Sequence, residues 1–223
     1  MVLSACTLCR AQVVINEVLY DPDGNDTGFE TIELLNTGTE PFSLDTYELK
    51  TADSNYYTFI AFTLAPEARV IIHNNTTGDD TATDLYTGPL ANMGNTHGSV
   101  ALFSGPHAAG NIIDFVQYGG PDEQWESAAV AAAIWTEDDF TADVDEGLSL
   151  NLDPDGIDTN SSTDWAACFP SPLEPNCLPL PTATASPEPT HTPAPTATPT
   201  APPPTSTPTP PPPTPPPPRL PPP

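Results

Sequence analysis

Positive charge is what this sequence has least of: four Lys and Arg stand against 30 Asp and Glu, a formal net charge of −26. Within residues 13–177, the part with enough apolar side chains to fold, the basic residues are Lys50 and Arg69. Binding DNA or RNA by direct charge contact needs lysines and arginines to neutralise phosphates, so that class is excluded, and an anionic membrane surface is disfavoured for the same reason. Long apolar runs are missing as well. No stretch reaches the roughly 20 residues of a membrane-spanning helix, so no transmembrane segment is expected. Gly-x-Ser-x-Gly, His-Glu-x-x-His and the Gly-rich phosphate loop are all absent. His73, His97, His107 and His191 stand at loop-like or strand-end places without ligand spacing and read as surface residues. An enzyme in its own right has no motif here to build on.

Proline is abundant and unevenly placed. Of 32 prolines, 22 follow Cys177, among Thr, Ala and Ser with almost no bulky apolar residue. Such a segment cannot bury enough surface to offset its ordering entropy, so residues 178–223 are expected to be a disordered Pro/Thr-rich stalk or linker. Residues 13–177 are a normal length for one domain. The excess of carboxylates fits a secreted protein, whose charge is screened by salt or bridged by divalent cations.

The folding part reads as all-β. Short runs of Val, Ile, Leu and Tyr at 13–20, 29–35, 46–50, 56–59, 69–73, 99–103, 112–118 and 146–150 are separated by Asp, Gly, Asn and Pro. Alternation marks Ile15, Val18, Ile32, Leu34, Ile71 and Phe115 as core, and places Asp114 and Gln117 facing out or capping. Residues 74–86 read as a polar exposed loop. Helix is credible at one place, the Ala-rich 124–135, where Trp125 and Trp135, with the later Phe140, are expected to lid the core.

Several motifs in order resemble the lamin tail domain, of the bacterial, secreted type. They are Ile15-Asn-Glu-Val18, then Glu30-Thr-Ile-Glu-Leu-Leu-Asn36 with Gly38 and Pro41, the Leu64-Ala-Pro66 turn, the Ile112–Tyr118 strand and Ser171-Pro-Leu-Glu-Pro-Asn176. Glu67 stands where the family's turn has glycine. The resemblance spans residues 13–176 and implies an immunoglobulin-like β-sandwich without a catalytic motif. It also implies a domain that often accompanies secreted hydrolases or nucleases.

Residues 1–12 look like the remnant of an export signal, with two readings. Cleavage after Ala11 would release a chain beginning at Gln12, whereas Leu3-Ser-Ala-Cys6 resembles a lipobox that would put a lipid anchor on Cys6. Export implies a disulfide between Cys168 and Cys177, closing the end of the domain.

The carboxylates raise two questions. Glu17 and Glu30 share strand parity with apolar residues and are expected to point inward, with a bulge or strand end letting each bond backbone N–H groups. Asn151-x-Asp153-x-Asp155-Gly156 followed by Asp158 resembles half of a calcium loop, although Ser162 stands where a bidentate Glu belongs. Calcium is thus the one cofactor raised, with Asp153, Asp155 and Asp158 as its metal ligands. The competing account is a turn built on Pro154 and Gly156 whose aspartates cap N–H groups or face water.

The combined expectation is a non-catalytic extracellular or cell-surface module, binding or structural, with a protein or a cell-surface polymer as its partner. The alternative is an accessory domain of a secreted hydrolase or nuclease whose catalytic part lies outside this chain.

Overall fold

The computed structural model describes residues 12–51 and 56–178. The expectations for the export-signal remnant with Cys6, and for the Pro/Thr-rich segment, lie outside the described residues. By its contacts the chain divides into Met1–Leu180 and Pro181–Pro223, and all the described residues fall in the first unit.

Residues with β-branched and aromatic side chains pair into two stacked sheets, an immunoglobulin-like sandwich. The strands are β1 (Val13–Leu19), β2 (Thr31–Asn36), β3 (Phe42–Ser43), β4 (Glu48–Thr51), β5 (Tyr56–Thr58) and β6 (Thr63–Leu64). They continue with β7 (Arg69–His73), β8 (Asp84–Tyr86), β9 (Gly98–Phe103), β10 (Ile112–Tyr118), β11 (Ser149–Leu152) and β12 (Trp165–Cys168). One sheet has the order β12-β11-β1-β2-β7-β8, the other β10-β9-β4-β5, and β3 and β6 form a separate pair. Pairing is antiparallel except between β7 and β8. The polar 74–86 segment therefore ends in a parallel edge strand, not in a plain loop.

The core lies between the sheets. Ile15, Val18, Ile32, Leu34, Val70 and Ile72 from the larger sheet meet Leu49, Val100, Leu102, Val116 and Tyr118 from the smaller. Each large apolar side chain so buried contributes about 1.5–3 kcal/mol. All six residues marked by alternation are buried. Ile71 is so on the outer side: it pairs with Glu33, while its neighbours Val70 and Ile72 enter the core.

On the far face of the smaller sheet, Phe103 and Phe115 pack edge-on to Trp125 and Trp135, at 4.9 and 5.4 Å between ring centroids. The helix that carries this cover, α1, runs only from Glu126 to Ala131. Trp135 is buried as a lid residue, whereas Phe140 remains 41% exposed, contrary to expectation. Glu67 does adopt the left-handed backbone that glycine favours, at φ 57°. Asn36 holds the adjoining turn by donating to the carbonyls of Leu64 and Ala65, both at 3.0 Å. No helix among the described residues is long and apolar enough to cross a membrane.

Candidate functional site

A bulge in β1 organises the polar chemistry. Between Ile15 and Glu17 the register with β2 shifts, so Asn16 and Glu17 both reach the outer face of the six-stranded sheet. Glu17 lies directly opposite Glu33 of β2, and both are buried. Arg69 of β7 places Nε 3.3 Å from Glu33 Oε1, at an angle short of a hydrogen bond, and its guanidinium also pairs with Asp155. Asn16 ties the group together. Its amide donates to Glu33 Oε1 at 2.9 Å and Asp155 Oδ1 at 3.0 Å, and its oxygen accepts from Gly156 N at 3.0 Å. Gly156 has φ 67°, and a Cβ there would come within 2.8 Å of Leu35, so this approach needs glycine twice over.

Residues 169–177 cross these groups as a strap. Ser171 donates its backbone N–H and hydroxyl to Glu17, the latter at 3.0 Å. Leu173 N donates to Glu33 Oε2 at 2.7 Å, and the Asn176 amide donates to Asn16 O at 2.8 Å and Leu152 O at 3.1 Å. The Cys168–Cys177 disulfide closes the strap, with Cα atoms 5.3 Å apart. Burial raises the Glu17 carboxyl above its ordinary range against the opposing hydrogen bonds of Ser149 and Ser171. Burial pushes Glu33 up to about 7; hydrogen bonds from Asn16 and Leu173 oppose that rise, Glu17 adds to it, and Arg69 opposes it.

Paired carboxylates on neighbouring strands are also what glycoside hydrolysis uses, but that chemistry needs room between them for a sugar. Here the oxygens of Glu17, Glu33 and Asp155 all meet donors of the protein itself. The arrangement fastens one segment of chain to another.

Two further buried acids lie elsewhere. Glu30 accepts from Asn74 at 2.7 Å and from Met93 N at 2.8 Å, and burial pushes it up to about 7. Glu17, expected to point inward, is turned by the bulge to the outer face under the strap; both it and Glu30 take backbone N–H donors as expected. Asp114, expected to face out or cap, is instead buried between the sheets, because a bulge in β10 between Ile112 and Asp114 turns it inward. Burial, reinforced by Asp158, raises its carboxyl well above the usual range. Gln117, with the same expectation, is buried too and donates to Asp139 O at 2.6 Å. A cleft of about 510 Å³, walled by Phe42, Tyr47, Ile112, Ile113 and Ile134, opens beside Asp158 and Asn160.

The three aspartates of the calcium reading are not brought together. Asp153 is exposed, Asp155 binds Arg69 and Asn16, and Asp158 accepts from Asn160 N at 2.7 Å and faces Asp114. Among the described residues no group of three or more His, Cys, Asp or Glu is placed to hold a metal ion. Cys168 and Cys177 are bonded. His73 and His107 are not simple surface residues but part-buried partners of Asp84 and Glu48, while His97 is exposed beside Glu123. Asn16, Arg69 and Asn176, which hold the site together, escape a search for catalytic or metal spacing. Their signal is the place of Asn16 and Asn176 within motifs and Arg69's rarity as a cation.

Comparison with known families finds that the model described as Lamin Tail Domain matches residues 9–120, half of the chain. No curated protein matches. The matched span ends before β11, β12 and the strap, although β11 pairs with β1 and the strap bonds to Glu17 and Glu33 inside it.

Proposed function

The chain belongs to the lamin tail domain family, and from that premise we propose that it serves outside the cell as a non-catalytic binding or structural module, carried on the Pro/Thr-rich residues that follow it. The observation that carries this reading is the disulfide-closed strap. Disulfides persist in oxidising compartments, and this one fastens the last described segment over side chains that would otherwise be the best candidates for chemistry. Domains of this family generally serve contacts with other proteins, which supports a protein partner over a small-molecule substrate. The acidic surface argues against nucleic acid as that partner.

The test is differential alkylation of the protein taken from its own cells and their medium, followed by peptide mapping. Cys168 and Cys177 should resist alkylation until a reductant is added, and the protein should be recovered outside the cytoplasm. Recovery from the cytoplasm with both thiols free would sink the extracellular reading. The alternative role, accessory domain to a secreted hydrolase or nuclease, is separated by reading the gene beyond codon 223 for a catalytic segment.

A further inference from the structure

We propose that the outer face of the six-stranded sheet is a peptide-binding groove, filled by this chain's own residues 171–176 and latched by the Cys168–Cys177 disulfide, and that opening the latch lets the groove take the same segment of a second copy. Three features of the strap carry this. Its bonds to the groove run through side chains, Glu17 to Ser171, Glu33 to Leu173 N, and Asn176 to the β1 backbone, not through a strand ladder. Recognition is therefore concentrated at the two ends and at one central N–H, as in a short peptide motif. Pro172, Leu173, Glu174 and Pro175 are exposed, so the middle of the segment has little other hold on the domain. The two cysteines bracket the motif from either side, so one covalent bond decides whether the segment can leave.

The groove carries three carboxylates, two of them beside the guanidinium of Arg69 and the third, Glu17, met by Ser171, and so favours a segment that offers N–H and O–H donors. Ser171-Pro-Leu-Glu-Pro-Asn176 offers these whether it comes from the same molecule or another, and identical elements exchanged between copies make a symmetric pair. Opening the latch is a two-electron step. A dithiol reductant gives two electrons and two protons to the Cys168–Cys177 bond and itself closes to a disulfide.

The experiment mixes equal amounts of ¹⁴N- and ¹⁵N-labelled full chain, reduces them with dithiothreitol, holds them at millimolar concentration and reoxidises them. Peptide mapping then reads the Cys168–Cys177 pairs. In the dimer fraction about half of these pairs should join a light to a heavy chain, as random exchange of identical segments requires. Hydrogen exchange should show Ser171 and Leu173 amides as protected as in the starting monomer. Same-isotope pairs alone at every concentration overturn the proposal, and so do mixed pairs with unprotected amides, which are plain cross-links. If reduction alone unfolds the chain, Cys168→Ser is mixed with Cys177→Ser, where a Cys168–Cys177 bond can form only between molecules. A folded heterodimer with protected strap amides is expected, and failure to form one overturns the proposal.

Discussion

Ile15 donates its backbone N–H to Oδ2 of Asp114 at 2.6 Å, a bond that runs from one sheet to the other. It exists because both strands bulge at that level: β1 between Ile15 and Glu17, β10 between Ile112 and Asp114. One bulge frees a donor from its ladder and the other turns an acceptor inward to meet it. The same carboxylate accepts Phe115 N at 2.8 Å.

Asp114→Ala leaves both N–H groups buried without a partner, each costing about 1–3 kcal/mol. The expected loss is about 2–6 kcal/mol, read as a lower urea midpoint. Asp114→Asn keeps one acceptor and should lose less. Equal midpoints for the parent and the Ala variant would contradict this account of the inter-sheet bond.

Stability should fall as pH rises through neutrality. Glu30 and Glu33 titrate near 7 in the folded chain, against an ordinary value of 4.5, because burial penalises their charged forms. Between those values the unfolded chain has released protons that the folded chain still holds. The stabilisation is fully present below about 4.5 and is lost as pH rises past about 7, up to about 3 kcal/mol per group. Glu48 and Asp84, lowered chiefly through their histidine partners (His107 outweighing burial at Glu48), work in the opposite sense and lose stabilisation in acid. Thermal melts should therefore peak in mildly acidic buffer. Glu33→Gln should flatten the decline towards pH 8; an unchanged profile would show that Glu33 does not drive it.

Replacing both Cys168 and Cys177 with Ser should cost about 2–3 kcal/mol, the loop-closure value for so short a span. Denaturant titration of the oxidised parent against the double variant measures it. Hydrogen exchange at Ser171 and Leu173 should quicken before exchange in β1 or β2 does. Uniform acceleration through the sheet would mean that the bond supports the whole fold and not the strap.

Arg69 occupies the position at Glu33 and Asp155 that a bound cation would take. Arg69→Met should cost about 1–3 kcal/mol, because it removes the charged donor of the part-buried Asp155, while Glu33, pushed up to about 7, can hold a proton. For calcium to bind through Asp155 it would have to displace the guanidinium and the Asn16 amide. Melts of the parent in EDTA and in millimolar calcium are therefore expected to coincide. A calcium-dependent rise in the parent that Asp155→Asn abolishes would restore the metal reading of this loop.

Much of the fold was legible because burial of one strand face leaves alternation in the sequence, as at Ile32 and Leu34. Alternation failed at β1, where Val13 through Val18 are all buried, one face by the opposite sheet and the other by the strap and its neighbouring loop. A bulge shifts parity by one residue without any compositional mark, so Asp114 read as outward; Gln117 does lie on the outer face, with Phe115, and is buried there by the segment that reaches Asp139. The site was less legible still. The Arg69–Asp155 pair spans 86 residues and the Asn16–Asn176 pair 160, and neither partner carries a spacing that points to the other. What the sequence did show was that Glu17 and Glu30 would accept backbone N–H groups at a bulge or strand end, as they do.

The placement of the two cations within paired strands has a practical outcome for proteolysis. Lys50, in β4, is 4% exposed, and Arg69, in β7, lies against Glu33 and Asp155. These are the basic residues among those described, so trypsin can cut this region only where the chain is already paired in a sheet. A protease needs a stretch of free, extended backbone, which at these two positions means freeing a strand next to a sheet edge, β4 beside β5 and β7 beside β8. Tryptic cleavage after Lys50 or Arg69 is then a clock for that opening, and each cut counts a molecule caught with the strand released.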